Sequence, residues 1–214
     1  MRIKELIILG LVIVSCNSQA QKKQNLVKMD TKKTNTSIEY ITFGNGCFWC
    51  TEVIFDQLEG IVSVESGYSG GHVKNPTYKE VTTGNTGHAE VIHIGFDAKI
   101  IDFSTLLDVF FNTHDPTTLN RQGADVGTQY RSAVFFHNVK QQSTANKMID
   151  ALNEANVFEN KIVTEVTKFS NYYPAEDYHQ NYFVNNRNQG YCRVVINPKL
   201  EKFLKQYKDK LKKE

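Results

Sequence analysis

The run Gly46-Cys47-Phe48-Trp49-Cys50 stands between a stretch that reads as a strand, Ile38 to Phe43, and one that reads as a helix, Thr51 to Leu58. A strand that feeds straight into a helix commits the chain to mixed α and β structure, with two thiols at the junction. Gly44 and Gly46 let the backbone turn sharply there and leave the first sulfur accessible. The unpaired amides and macrodipole of a helix start favour an anion, so Cys47 is expected to be partly thiolate and is the candidate nucleophile. Cys50, one turn further on the same face, can approach Cys47 once that sulfur is oxidised. Such a pair also suits a structural disulfide, half of a zinc site or a thiol-disulfide oxidoreductase. Phe48 and Trp49, the latter the chain's only Trp, make a poor zinc loop but would wall an apolar pocket.

The first residues read as a targeting signal. Arg2 and Lys4 precede an apolar run, Leu6 to Val14, too short to span a bilayer core. It ends at Ile13-Val14-Ser15-Cys16, which resembles a bacterial lipobox with Cys16 as the lipidated residue. Residues 1–15 are therefore expected to be a lipoprotein signal peptide and 16–36, poor in apolar residues, a flexible tether. That arrangement predicts a protein anchored by lipid outside the cytoplasm, at the bacterial periplasm or cell surface. Residues 37–214 have the length of one domain. Losing Arg2, Lys4 and Glu5 with the signal removes one of the two net positive charges, so no strong field argues for nucleic acid.

Further strands are expected over Ile61 to Tyr68, Glu90 to Phe96, Tyr130 to His137 and Ile162 to Phe169. Helices are expected over Ser104 to Thr113 and Gln141 to Asn156. A final amphipathic helix follows, with Asn197 as cap, Pro198 in its first turn and Leu200, Phe203, Leu204, Tyr207 and Leu211 as its buried stripe. The Gly-, Asn- and Thr-rich segments Gly67 to Gly87 and Thr113 to Gly127 read as long loops, where sites tend to gather.

Glu90 shares strand parity with Ile92, Ile94 and Phe96, so its carboxyl is expected in a desolvated place where its pKa rises and it can act as a general acid. The six histidines show no tight ligand spacing, and no metal is expected. His179, with Glu176 and Asp177, reads as a hydrogen-bonded wall or a structural cluster.

The Gly46–Cys50 run resembles the G-C-F-W-[GC] signature of the peptide methionine sulfoxide reductase A family. The resemblance continues through Asn75-Pro76-Thr77-Tyr78, Thr86-Gly87-His88-Ala89-Glu90-Val91, His114-Asp115-Pro116, Gly127-Thr128-Gln129-Tyr130-Arg131-Ser132 and Ala175-Glu176-Asp177-Tyr178-His179-Gln180. It implies an α+β fold, a two-layer sandwich with a mixed, ferredoxin-like sheet and helices, enlarged by long loops. It implies reduction of methionine S-sulfoxide, free or in proteins, with Cys47 as nucleophile and Glu90 as proton donor. Phe48 and Trp49 would receive the substrate methyl, Tyr78 and Tyr130 would hold the sulfoxide oxygen, and Asp125 would belong to the same pocket. Cys50 fits the resolving thiol, with Cys192 in Gly190-Tyr191-Cys192 as the alternative. No cofactor is implied beyond electrons from thioredoxin or a thioredoxin-like donor. A monomer is expected. The alternatives from other classes are a thioredoxin-like thiol-disulfide oxidoreductase and a non-catalytic zinc-binding lipoprotein.

Overall fold

A computed structural model describes residues 37–213; the expected signal peptide, Cys16 and tether lie outside them. In chain order the first half holds β1 (Ile38–Asn45), α1 (Phe48–Phe55), β2 (Ile61–Ser69), α2 (Tyr78–Val81), β3 (Ala89–Asp97) and α3 (Phe103–Thr113). The second holds β4 (Arg121–Gln122), β5 (Asp125–Val126), β6 (Ser132–Phe136), α4 (Val139–Glu154), β7 (Glu165–Lys168), β8 (Tyr173–Pro174), α5 (Tyr182–Asn185) and α6 (Asn197–Gln206).

One sheet has the order β7-β6-β1-β3-β2-β8. β1 lies between β3 and β6, antiparallel to both, β2 is antiparallel to β3, and β7 joins β6 in parallel. The four central strands with α1 and α3 form the β-α-β-β-α-β arrangement of ferredoxin-like sheets, as expected. β4 and β5 make a separate small hairpin inside the loop between α3 and β6.

Strand parity sorts the two faces. Phe43, Ile92, Ile94 and Phe96 are wholly buried in one cluster with Leu106, Leu107 and Phe110 of α3 and Phe55 of α1. Ala89, Val91, Ala133 and Phe135 form a smaller cluster on the other face, covered by Phe169 and Tyr172 rather than by a helix. Glu90 is a carboxyl in the parity of the first, helix-covered face, which is what brings it to α1.

Several boundaries depart from expectation, each for a local reason. α1 starts at Phe48, not Thr51, because Cys47 already occupies the N-cap position. α4 starts at Val139 because the Asn138 side chain accepts the Gln141 N–H at 2.9 Å. Tyr130 ends a 3-10 turn, Thr128–Tyr130, before β6 begins, and β7 is shorter than the expected strand. Asn197 is not a cap: a π-helical turn, Cys192–Ile196, runs directly into α6, so the amides an Asn would cap are already inside helical structure. Leu211 lies beyond α6 and bridges to Leu58. The expected loop after Gly67 contains the end of β2 and also α2, capped by a reciprocal Thr77–Glu80 capping box.

Candidate active site

β1 ends at Asn45, and Gly46 turns the chain at φ +94°; a Cβ there would lie 2.6 Å from the Gln122 side chain, so only glycine lets β4 approach. Cys47 follows at the N-cap of α1, and its side chain makes no capping hydrogen bond. The Cys50 N–H donates to the Cys47 carbonyl at 3.1 Å, and both side chains are buried. The Thr51 hydroxyl donates to Asn45 Oδ1 at 2.6 Å and ties the helix start back to the strand.

Glu90 reaches this junction from β3. Its Oε2 accepts the Phe48 N–H at 3.2 Å, while Oε1, equally buried, has no partner within the protein. Burial pushes the carboxyl up to about 8, against the pull of the Phe48 N–H and with help from the Asp125 and Cys50 charges. The group is therefore a protonated acid at neutral pH, as parity predicted.

The thiols correct the expectation built on the helix dipole. Cys47 is held well above an ordinary thiol by its interaction with the Cys50 sulfur, by burial and by the Glu90 carboxylate. Cys50 is lowered, because the Cys47 thiol stabilises its thiolate and the Lys199 charge adds to this. The two thiols titrate as a coupled pair. An eight-residue helix start does not outweigh a neighbouring thiol that needs a proton donor.

Tyr78 and Tyr130 are half-buried on the same side. Burial, then the Glu90 charge, pushes both phenols up, which leaves them neutral hydrogen-bond donors. Asp125 comes in on β5, and its Oδ2 accepts the Tyr191 hydroxyl at 2.9 Å. That same hydroxyl lies 4.0 Å from Cys50 Sγ. Tyr191 was not among the residues singled out from the sequence; only its place directly before Cys192 could have pointed to it. Cys192 is fully buried in the π-helical turn, and burial followed by the Cys50 charge pushes its thiol up.

Phe48 is almost fully buried, whereas Trp49 is partly exposed. The Phe48 ring lies 6.0 Å from Tyr68 and 6.4 Å from Tyr78. Trp49 stacks on Tyr182 at 3.6 Å with the planes 8° apart, and its Nε1–H donates to His179 Nδ1 at 3.1 Å. An indole can only donate, so His179 carries its hydrogen on Nε2. Glu176, 3.8 Å from that nitrogen, accepts the Tyr68 hydroxyl at 2.9 Å and the Tyr78 N–H at 2.8 Å. A cavity of about 260 Å³, lined by His114, Gln122, Lys199 and Lys202 among others, holds none of the predicted site residues. Among the described residues no three His, Cys, Asp or Glu side chains cluster so as to hold a metal ion.

The structure thus brings together Cys47, Cys50, Phe48, Trp49, Tyr78, Glu90, Asp125 and Tyr130, drawn from α1 and its N-cap, α2, β3, β5 and the turn before β6. A buried acid, two interacting thiols and neutral phenols can reduce a polar S–O bond by nucleophilic attack with proton transfer.

The family model for peptide methionine sulfoxide reductase matches residues 39–212. Peptide methionine sulfoxide reductase MsrA of Saccharolobus solfataricus is 50% identical over 175 residues, covering 82% of this chain and 98% of its own. The protein of that name from Deinococcus radiodurans is 53% identical over 174 residues, 81% of this chain and 84% of its own. Among solved structures, reduced Mxr1 from Saccharomyces cerevisiae superposes with a TM-score of 0.66 at 36% identity, covering 72% of this chain and 89% of that one. Methionine sulfoxide reductase A of Corynebacterium diphtheriae gives 0.62 at 34% identity, covering 70% and 76%. With a thiol pair, a buried acid and this fold already in place, the matches across nearly the whole described region establish that the chain belongs to the peptide methionine sulfoxide reductase family.

Proposed function

We propose the following course for the reaction. The chain is an oxidoreductase that reduces methionine sulfoxide to methionine with thiols. Cys47 Sγ attacks the sulfoxide sulfur while Glu90 protonates the oxygen, giving a sulfur–sulfur adduct; the hydroxyl then passes to Cys47 Sγ as the substrate S–O bond and the new S–S bond both break, which leaves methionine and a Cys47 sulfenic acid. The proton that Cys47 gives up returns to Glu90. Substrate sulfur is thereby reduced by two electrons and Cys47 oxidised by two, with no net change in charge. Tyr78 and Tyr130 hold the oxygen as neutral donors, and Asp125 orients the Tyr191 hydroxyl beside the thiols. Phe48 and Trp49 receive the methyl group, which selects the S epimer.

Cys50 then displaces the sulfenic oxygen as water and closes a Cys47–Cys50 disulfide. Its place one turn along α1, with its N–H on the Cys47 carbonyl and its thiol interacting with that of Cys47, supports it over Cys192, which lies fully buried in the π-helical turn. A thioredoxin-like dithiol returns two electrons, and neither metal nor flavin takes part. The substrate is free or protein-bound S-sulfoxide. The observation that carries this reading is the buried Glu90 carboxyl beside Cys47, with Oε2 on the N–H of the next residue and Oε1 without a partner in the protein.

The test is a single turnover with excess enzyme and no reductant, followed by peptide mapping. One methionine per enzyme with a Cys47–Cys50 disulfide is expected; a disulfide lacking Cys47 would overturn it. The lipobox-like Cys16 supports a further proposal, that the mature chain is lipid-anchored and extracytoplasmic. No helix of the described residues is long and apolar enough to cross a membrane. Labelling cells with radioactive palmitate should mark the mature protein; an unlabelled protein beginning at another residue would sink the anchor and leave the chemistry intact.

A further inference from the structure

Glu52 takes no part in the chemistry above, yet it is a carboxylate with only 4% of its surface exposed. It sits one turn beyond Trp49 on α1, and its Oε1 accepts the Asn181 N–H at 3.0 Å. Burial pushes its carboxyl up, and the Asn181 N–H acts against that by favouring the charged form. Asn181 holds φ 52°, in the left-handed region, and α5 has no side-chain cap of its own. Glu52 therefore supplies, from another element, the acceptor that this turn lacks.

What the turn carries makes the contact consequential. Tyr182, the next residue, is the ring stacked on Trp49; His179, two residues earlier, accepts the Trp49 N–H. Between them Gln180 binds the sheet, donating to the Ser66 and Ala175 carbonyls at 2.9 and 3.0 Å and accepting the Ser66 N–H at 3.0 Å. The segment is pinned to β2 by Gln180 and to α1 by Glu52. The helix that presents the indole thus also anchors the two rings that pack on it.

We infer that Glu52 is a positioning residue for substrate recognition: by holding the Asn181 turn it fixes Tyr182 and His179 against Trp49, and so sets how firmly the sulfoxide side chain is held. It does this without touching the reacting atoms. The inference rests on the proposed role of Trp49 as a wall of the methyl pocket.

Two readouts test it: single-turnover kinetics with an oxidised methionine peptide, and the emission of Trp49, the only Trp of the chain. Glu52→Ala takes the acceptor away from the Asn181 N–H, so the half-saturating peptide concentration should rise about tenfold. The maximal rate should stay within about twofold, since the lost interaction acts on binding. Trp49 emission should shift to the red and become easier to quench, while Glu52→Gln, which keeps an acceptor oxygen, should stay close to the wild type in both readouts. Unchanged emission and half-saturation in a folded Glu52→Ala would overturn the inference, as would a fall in maximal rate alone. If Glu52→Ala fails to fold, Glu52→Asp, one methylene short of Asn181, is read by the same two criteria. The emission readout needs no substrate: absence of sulfoxide reduction in the wild type would refute the catalytic reading, and unaltered Trp49 emission this one.

Discussion

Glu90 is a carboxyl whose charge state governs the proposed first step. With its pKa near 8, it is protonated at neutral pH and loses its proton only in mild alkali. The single-turnover rate of the wild type should therefore be level near pH 7 and fall about tenfold per pH unit once well above pH 8. Glu90→Gln keeps the shape but cannot deliver a proton; its single-turnover rate should drop by about 100- to 10,000-fold and lose that alkaline limb. A drop below about tenfold would assign protonation to another group, such as a Tyr hydroxyl. The raised pKa also has a stability sign. An unfolded Glu ionises near pH 4.5 and the folded one near 8, so stability from this group is full at low pH and is lost as pH rises between those values. Glu90→Gln should thus be more resistant to urea than the wild type at pH 8, and equal to it near pH 4. At the sulfurs, Cys47→Ser should abolish even a single turnover, whereas Cys50→Ser should release one methionine and stall as the Cys47 sulfenic acid, detectable with a dimedone-type trap. Wild-type steady turnover in Cys50→Ser would give the resolving role to Cys192.

Among elements, the β1–α1 junction has the least tolerance. Gly46→Ala would place a side chain at φ +94° against Gln122, which strains the turn and pushes β4 off the helix start. A loss of about 1–3 kcal/mol in urea unfolding is expected, with a slower single turnover because Cys47 moves with the turn. Asn138→Ala, by contrast, removes the cap of α4 at a place remote from the thiols. It should cost about 1 kcal/mol and leave the single-turnover rate unchanged. A rate defect there would show that α4 couples to the site. The elements were also where the sequence was hardest to read. α1 began three residues early because a cysteine stands at its N-cap, which apolar periodicity does not register. Asn197 looked like a cap because Pro198 followed it, but the π-helical turn before it comes from packing Cys192 and Ile196 into the core.

At the scale of the whole molecule, buried histidines set acid stability. His114, largely buried, donates from Nδ1 to the Phe110 carbonyl at 2.7 Å and accepts the Ser132 hydroxyl at Nε2, also at 2.7 Å. Burial holds it down at about 4, and burial followed by the nearby His93 holds His137 down at about 4. A His depressed in the fold contributes stability that is present above its unfolded pKa of about 6.5 and is lost as pH falls from there toward 4. Glu90 acts in the opposite direction across the same window, but two histidines outweigh one carboxyl, so urea midpoints should still drop between pH 6.5 and 4.5, and His114→Gln should shallow that drop. From residues alone came the thiol pair at a strand-to-helix junction, the buried parity of Glu90, the α+β class and, through a resemblance, the family and its site. Those depend on local spacing and on alternation along a single strand, which a linear string records. Only the tertiary structure decided that the two thiols interact beside a buried acid, that Tyr191 joins Asp125 to Cys50, and that Glu52 accepts from the turn stacked on Trp49. Each of these depends on groups far apart in the chain meeting where water is excluded, and there a neighbour's proton or dipole outweighs the intrinsic preference of the residue itself.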